Sequence, residues 1–325
     1  MHKHVSMNEV AYVAGVSIAT VSRYINTPDK VAKATQCRIE AAIQQTGYTP
    51  NTLAQKFRRG RSHQILVAVP SVGDPFFSAV MRGVRRAATA RGYTVFIRET
   101  RETALTTREI NGVLNSKQAD GIVLLNNMTY LTGKLDAATD PFDRPPVIHV
   151  DNVAASRAMT EYLLGLGHTR IAMVFNSRKP SSVERERGFR LAMREAGPAV
   201  ADGRVVDAEN TLDGARSATR ELLDHGDAPT AIFCASDELA LGCMHELRMA
   251  GLRVPADVSV AGFDDTRYAA VSNPPLTTIR QPAEEMGVYI VDELCAAIEG
   301  EAAGTGGPVV VPHELIIRNS VSRSG

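Results

Sequence analysis

What the 325 residues lack removes whole classes of function at the outset. The four cysteines, Cys37, Cys234, Cys243 and Cys295, form no C-x-x-C pair and stand in no histidine grouping at metal-ligand spacing. Each reads as a buried reduced thiol, and no metal site is indicated. No phosphate-binding glycine loop, no G-x-S-x-G and no H-E-x-x-H occurs, so neither catalysis nor a cofactor is expected. The histidines are scattered, and His168 in LGLGHTR reads as a loop residue. The opening MHKHVSMNEV has no apolar core like that of an export signal, and no apolar run approaches the ~20 residues that span a bilayer. A cytoplasmic protein without a membrane partner is expected.

Net charge is also missing overall, but its distribution is uneven. Residues 1–64 hold nine Lys/Arg against three acids, a balance of +6, and the remaining 27 Lys/Arg against 33 acids give −6. The first end would meet phosphate and the rest would be repelled by it. With 44% hydrophobic residues, the length suits two or three compact units.

The basic end carries the most informative stretch, SMNEVAYVAGVSIATVSRYIN. Ser6 and Glu9 have the spacing of a capping box, which starts a helix near Met7. Val10, Val13 and Ala14 recur as its apolar face, and Gly15 permits a sharp turn. Ser17 can cap a second helix, with Val21 and Ile25 inward. That leaves Ile18, Ala19, Thr20, Ser22 and Arg23 outward, a surface suited to the DNA major groove. A third helix follows with Ile39, Ala42 and Ile43 inward and Gly47 at its end. Its start lacks a capping side chain at Ala32, a loss of about 1 kcal/mol unless Asp29 or Thr35 compensates.

These residues, then TPDKV and GYTPNTLAQKFRRGRS, resemble the headpiece and hinge of the lactose/galactose repressor (LacI/GalR) family. The resemblance continues through ILVAVPSVGDPFFSAVMRGV, GHTRIAMV, SDELALG, GLRVPADVSVAGFDD and PPLTTIRQP, so it covers nearly the whole chain. It implies an all-α helix-turn-helix headpiece and an α/β two-lobed, periplasmic-binding-protein-like core with parallel sheets. The expected divisions are 1–49 for the headpiece, 50–61 for a hinge helix and 62–325 for the core. Within the core, one lobe is expected at 62–166 and 280–311, the other at 167–279 and 312–325. The DNA contacts it implies are Ser6, Ser17, Ile18, Ala19, Thr20, Ser22, Arg23, Asn26, Tyr48, Ala54, Phe57 and Arg58. Phe57 falls where the family usually has a Leu wedged between base steps in the minor groove, or else packs on the core.

From Ser62 onward, strands alternate with helices. Two series, starting at Ile65 and Ile171, predict two lobes with right-handed crossovers. Ligands bind beyond the C-terminal strand ends of such sheets. The loops there offer Asp74, Phe76, Phe77, Lys179, Ser181, Arg185, Ser236 and Asp264; of these, Phe76, Phe77, Lys179, Ser181, Arg185 and Asp264, and less closely Ser236, fall where the resemblance places the family's effector contacts. Phe77 serves equally well as core, and Asp237 reads more readily as a helix cap than as a ligand contact. Carboxylate, guanidinium and hydroxyl groups beside aromatic faces suit a polar ring-shaped ligand, a sugar or nucleoside. Wording such as TPDKVAKAT, GDPFFS and HELIIRNS is most similar to the cytidine (nucleoside) repressor branch. PFDRPPVIHVDNVAAS is shorter than the family pattern, so the first lobe either lacks a strand or has a rebuilt edge. TIRQP reads as the last crossover, Thr278–Pro282. The function implied is a homodimeric DNA-binding repressor controlled by an effector; the competing reading is a solute-binding sensor that does not regulate DNA.

Overall fold

Ser6 opens α1 (Met7–Ala14) with a complete capping box: its Oγ accepts from Glu9 N, and the Glu9 carboxylate accepts from Ser6 N at 2.8 Å. Gly15, at φ 62°, closes the helix in the left-handed region. Ser17 then caps α2 (Ile18–Asn26), and a 3-10 turn at Pro28–Lys30 leads to α3 (Lys33–Thr46). Val10, Ala11, Ala14, Val21, Ile39 and Ala42 form the core of this unit, with Ile25, Ile43 and Tyr48 packed against it. Val13, expected inward, is 41% exposed, and Ala11 takes its place. At 100° per residue the stripe centres between Val10, Ala14 and Ala11, which puts Val13 on its rim. Cys37, expected to be buried, is exposed on α3.

The computed structural model describes residues 5–48, 61–100, 105–133, 147–197, 204–224, 226–300 and 308–325. The chain divides into two compact units, Met1–His63 and Gln64–Gly325. The hinge residues Ala54, Phe57 and Arg58 lie outside the described residues.

In the larger unit, β1 (Gln64–Val69), β2 (Thr94–Glu99), β3 (Gly121–Leu124) and β4 (Thr129–Leu131) form a sheet in the order β2-β1-β3-β4. Ile65 faces Val95 on one side and Gly121 on the other, both parallel, whereas β4 runs antiparallel to β3. The rebuilt edge is therefore what occurs: β4 lines β3, and β5 (Ile148–Val150) pairs with β11 (Val309–Val311). Helices α4 (Pro75–Ala90), α5 (Thr107–Asn115) and α10 (Ala283–Glu299) pack on this lobe. A Cβ at Gly83 would overlap the Glu284 carbonyl, and one at Gly287 the Val80 carbonyl, so α4 and α10 approach backbone to backbone.

The second lobe is a six-stranded sheet in the order β12-β10-β9-β8-β6-β7. Its strands are β6 (Ile171–Phe175), β7 (Val205–Asp207), β8 (Ala231–Cys234), β9 (Ser259–Asp264), β10 (Thr277–Arg280) and β12 (Glu314–Ile316). Only β12 among them is antiparallel to its neighbour. Thr278, placed in a crossover by the sequence, is inside β10, and the chain returns to the first lobe at Gln281–Pro282. Helices α7 (Pro180–Glu195), α8 (Leu212–Asp224) and α9 (Asp237–Met249) flank the sheet.

Helix α6 (Asn152–Gly165) belongs to this second lobe, against the expected boundary at 166. Asn152 Nδ2 donates to Glu184 at 2.8 Å, and Ser156 Oγ donates to the Arg185 carbonyl at 2.5 Å. The crossover thus falls at Asp151, which caps α6 through Ala154 N. His168, read as a loop residue, is buried at the end of this helix, between Thr230 Oγ1 at 3.0 Å and the Ser322 carbonyl at 2.9 Å. Burial pulls its pKa down.

Ala32 does leave α3 without a side-chain cap. Gln36 Nε2 donates to the carbonyls of Pro28 and Val31, both at 2.8 Å, which anchors the preceding turn but satisfies no first-turn N–H. Ala32→Ser should therefore stabilise the headpiece by about 1 kcal/mol. Hydrogen exchange of α3 amides in the full chain checks this, with roughly five-fold slower exchange expected.

Candidate effector cleft and nucleic-acid interface

A cleft of about 480 Å³ opens between the lobes of the larger unit, at the C-terminal ends of its parallel strands. All eight residues singled out from the sequence line it: Asp74, Phe76, Phe77, Lys179, Ser181, Arg185, Ser236 and Asp264.

Asp74 follows β1 and caps α4, its Oδ1 accepting from Phe76 N at 2.9 Å. Its other oxygen lies 3.8 Å from Lys179 Nζ on the opposite lobe. Lys179 also stands 5.8 Å from the Phe77 ring centroid, within cation–π range. Phe77 is buried in the first-lobe core, as one reading of it expects, and its ring also lines the cleft. Phe76 meets it edge to face, with centroids 5.4 Å apart.

Arg185 forms the floor. Its side chain is 8% exposed; Nε donates to Asn152 Oδ1 at 2.9 Å, Nη1 donates to the Ala235 carbonyl at 2.6 Å, and the Asp264 carboxylate lies at 3.4 Å. The guanidinium also covers the Phe263 ring at 3.5 Å. Burial works against its charge and Asp264 works for it; arginine's basicity keeps it protonated. Burial pushes the Asp264 carboxyl up to about 6, with Arg185 opposing the rise and Asp74 adding to it. Gln281 Nε2, at the crossover after β10, donates to Asp264 at 2.6 Å.

Ser236, not Asp237, caps α9, accepting from Leu239 N at 3.3 Å, and its hydroxyl donates to Asn210 at 2.6 Å. Asp237 points away from the cleft and is fully buried, accepting from Thr278 Oγ1 and from Thr266 N, both at 2.6 Å. Burial, and then Asp264, raises its carboxyl to about 8. Asp264 and Asp265 both adopt positive φ, at 112° and 50°. Asp265 turns from the cleft to hold Arg280 at 2.7 Å and Arg318 at 2.6 Å, beside the crossovers.

Among the cleft residues without a signature of their own are Asn126 and Asn210, shortly after β3 and β7, while Gln281, just after β10, reaches the cleft only through its bond to Asp264. Their position after a strand was the available signal; carboxamides carry no motif. Among the described residues, no group of three His, Cys, Asp or Glu is placed to hold a metal ion. No helix among them is long and apolar enough to cross a membrane.

In the headpiece, Ser17, Ile18, Ala19 and Arg23 are exposed on α2, with Thr20, Ser22 and Asn26 half-buried beside them. Ser6 is exposed but engaged as the cap of α1, and Tyr48 packs on the headpiece core. Tyr24 donates to Glu40 at 2.6 Å and so ties α2 to α3; that bond pushes its phenol up to about 12.

A helix-turn-helix unit joined to a hinged polar cleft defines a DNA-binding regulator that senses a small molecule. Residues 6–51 match the family described as bacterial regulatory proteins, lacI family, and residues 160–321 match the periplasmic binding protein-like domain. The chain belongs to the lacI family. It is 34% identical to the HTH-type transcriptional repressor CytR of Escherichia coli (strain K12), over 97% of this chain and 96% of that one. It is also 34% identical to the ribose operon repressor of the same organism, over 89% of this chain and 92% of that one. The solved lac repressor dimer bound to operator and the anti-inducer ONPF superposes with a TM-score of 0.82 at 26% identity, covering 98% of this chain and 100% of that one.

Asp264 and Asp237 both hold their protons to higher pH when folded than the ~3.9 of an unfolded Asp. The folded state therefore binds more protons over that window, and these groups lower the unfolding free energy as pH rises from about 4 to about 8. Asp237→Asn should decline less than the parent between pH 6 and 8, by up to ~1.4 kcal/mol per pH unit. Urea unfolding at pH 6, 7 and 8 checks this; parallel declines would contradict it.

Proposed function

We propose that this protein is a cytoplasmic transcriptional repressor. It acts as a homodimer that holds a pseudo-palindromic operator and changes its grip when a nucleoside or sugar fills the cleft. The observation carrying this is the presence in one chain of a +6 helix-turn-helix end and a polar cleft between hinged lobes. A solute-binding sensor has no use for the first of these, which is why the regulator is preferred.

On this reading the outward face of α2 enters the major groove and Arg23 contacts base edge or phosphate. Ala54, Phe57 and Arg58 contact the minor groove, with Phe57 as the wedge. Self-association is supported by β2, an edge strand that leaves Phe96 47% and Ile97 54% exposed. In the cleft, Phe76 supplies a ring face, while Arg185, Asp264, Ser181 and Ser236 supply hydrogen bonds to hydroxyls. A ligand held by both lobes favours closure, and closure moves the two headpieces of a dimer relative to each other. The stretches shared with the cytidine (nucleoside) repressor branch support a nucleoside, and the equal identity to the ribose operon repressor supports a sugar as the second candidate.

Gel shifts with DNA from upstream of the protein's own gene, repeated with nucleosides and with sugars, test the assignment. Arg23→Ala should weaken specific binding by about ten-fold or more, with unchanged unfolding of the core. Phe76→Ala should raise the effector concentration needed for half-response about ten-fold while leaving ligand-free DNA binding intact. A protein indifferent to duplex DNA at low salt, with or without these ligands, would overturn the reading.

A further inference from the structure

The short polar side chains around the exposed face of α2 are largely occupied by α2 itself. Ser17 Oγ shares a hydrogen bond with Thr20 Oγ1 at 2.8 Å and accepts from Thr20 N at 3.2 Å. Asn26 Nδ2 donates to the Ser22 carbonyl at 2.7 Å and reaches Ser22 Oγ at 3.4 Å. Thr27 Oγ1 donates to the Arg23 carbonyl at 3.2 Å. What projects from the first turn is Ile18, half-exposed at 50%, followed by the small Ala19.

Ile18 takes no part in the headpiece core. Its branched side chain has no donor or acceptor, so it can offer a base edge only apolar contact. In the major groove the edges of guanine, adenine and cytosine are marked by donors and acceptors, and the C5 methyl of thymine is the distinctive apolar feature. Set against the first three, Ile18 would strip water from polar groups without replacing their hydrogen bonds. Set against thymine, it buries methyl on methyl. The +6 balance of residues 1–64 supplies the general attraction to the duplex and leaves this contact free to discriminate.

We propose that Ile18 is a specificity-determining residue that selects thymine in each operator half-site through its 5-methyl group, with Ala19 small enough to admit the close approach. The proposal rests on the docking of α2 in the major groove put forward above. To test it, operator sequences are selected from a random duplex pool with the full-length protein, and each thymine is then replaced singly by deoxyuridine. At one half-site position, loss of the methyl should weaken binding about four-fold, the effect of one buried carbon. Ile18→Ala should bind thymine and deoxyuridine operators equally while keeping the effector response of the parent. Deoxyuridine substitution without effect at every position would overturn the proposal, as would a methyl dependence that persists in Ile18→Ala. Failure to select any duplex sequence would instead overturn the DNA-binding reading, and the proposal with it.

Discussion

The guanidinium of Arg185 is where the second lobe is tied together. It comes from α7, takes Asn152 at the start of α6 and the carbonyl that ends β8, lies on Phe263 of β9, and faces Asp264. A buried charge is tolerated only when it is paired and hydrogen-bonded, and here α6, the residue after β8 and the end of β9 supply the partners of Nε and Nη1. The same demand leaves a cationic, hydrogen-bonding floor at the bottom of the cleft. Structural necessity and ligand chemistry are therefore one arrangement in this lobe, and the cleft polarity cannot be altered there without loosening the sheet and helices around it.

A second constraint links the cleft to the crossovers. Asp264 faces the ligand space, and the next residue, Asp265, fastens Arg280 and Arg318. Both carry positive φ, which for non-glycine residues persists only when surrounding contacts hold it. Gln281, donating to Asp264, is itself the first residue past β10. The cleft lining and the crossover therefore share neighbouring backbone units, joined by the bond from Gln281 to Asp264.

Much of this was legible in the sequence because the relevant signals are local. Ser6 with Glu9, and Ser17 before a short amphipathic run, announce helices through contacts three residues apart, and the strand runs Ile65–Val69 and Ile171–Phe175 announce a buried parallel sheet. What escaped depends on distant partners. Nothing in α6 says that it packs on Glu184 and Arg185 and so belongs to the second lobe. Asp237 carries the marks of a cap, and its burial under Thr266 and Thr278 follows only from tertiary placement. Asn126 and Asn210 line the cleft without any motif, because a carboxamide signals nothing by itself.

Asp74 does two jobs with one carboxylate. One oxygen fixes the first turn of α4, and the other stands opposite Lys179 across the cleft. Selection for a different ligand could not reshape this position without disturbing how a helix begins, so diversification should pass it by. Phe76 and Ser181 line the cleft and cap no helix, so replacements there would recast its chemistry at least cost to the architecture.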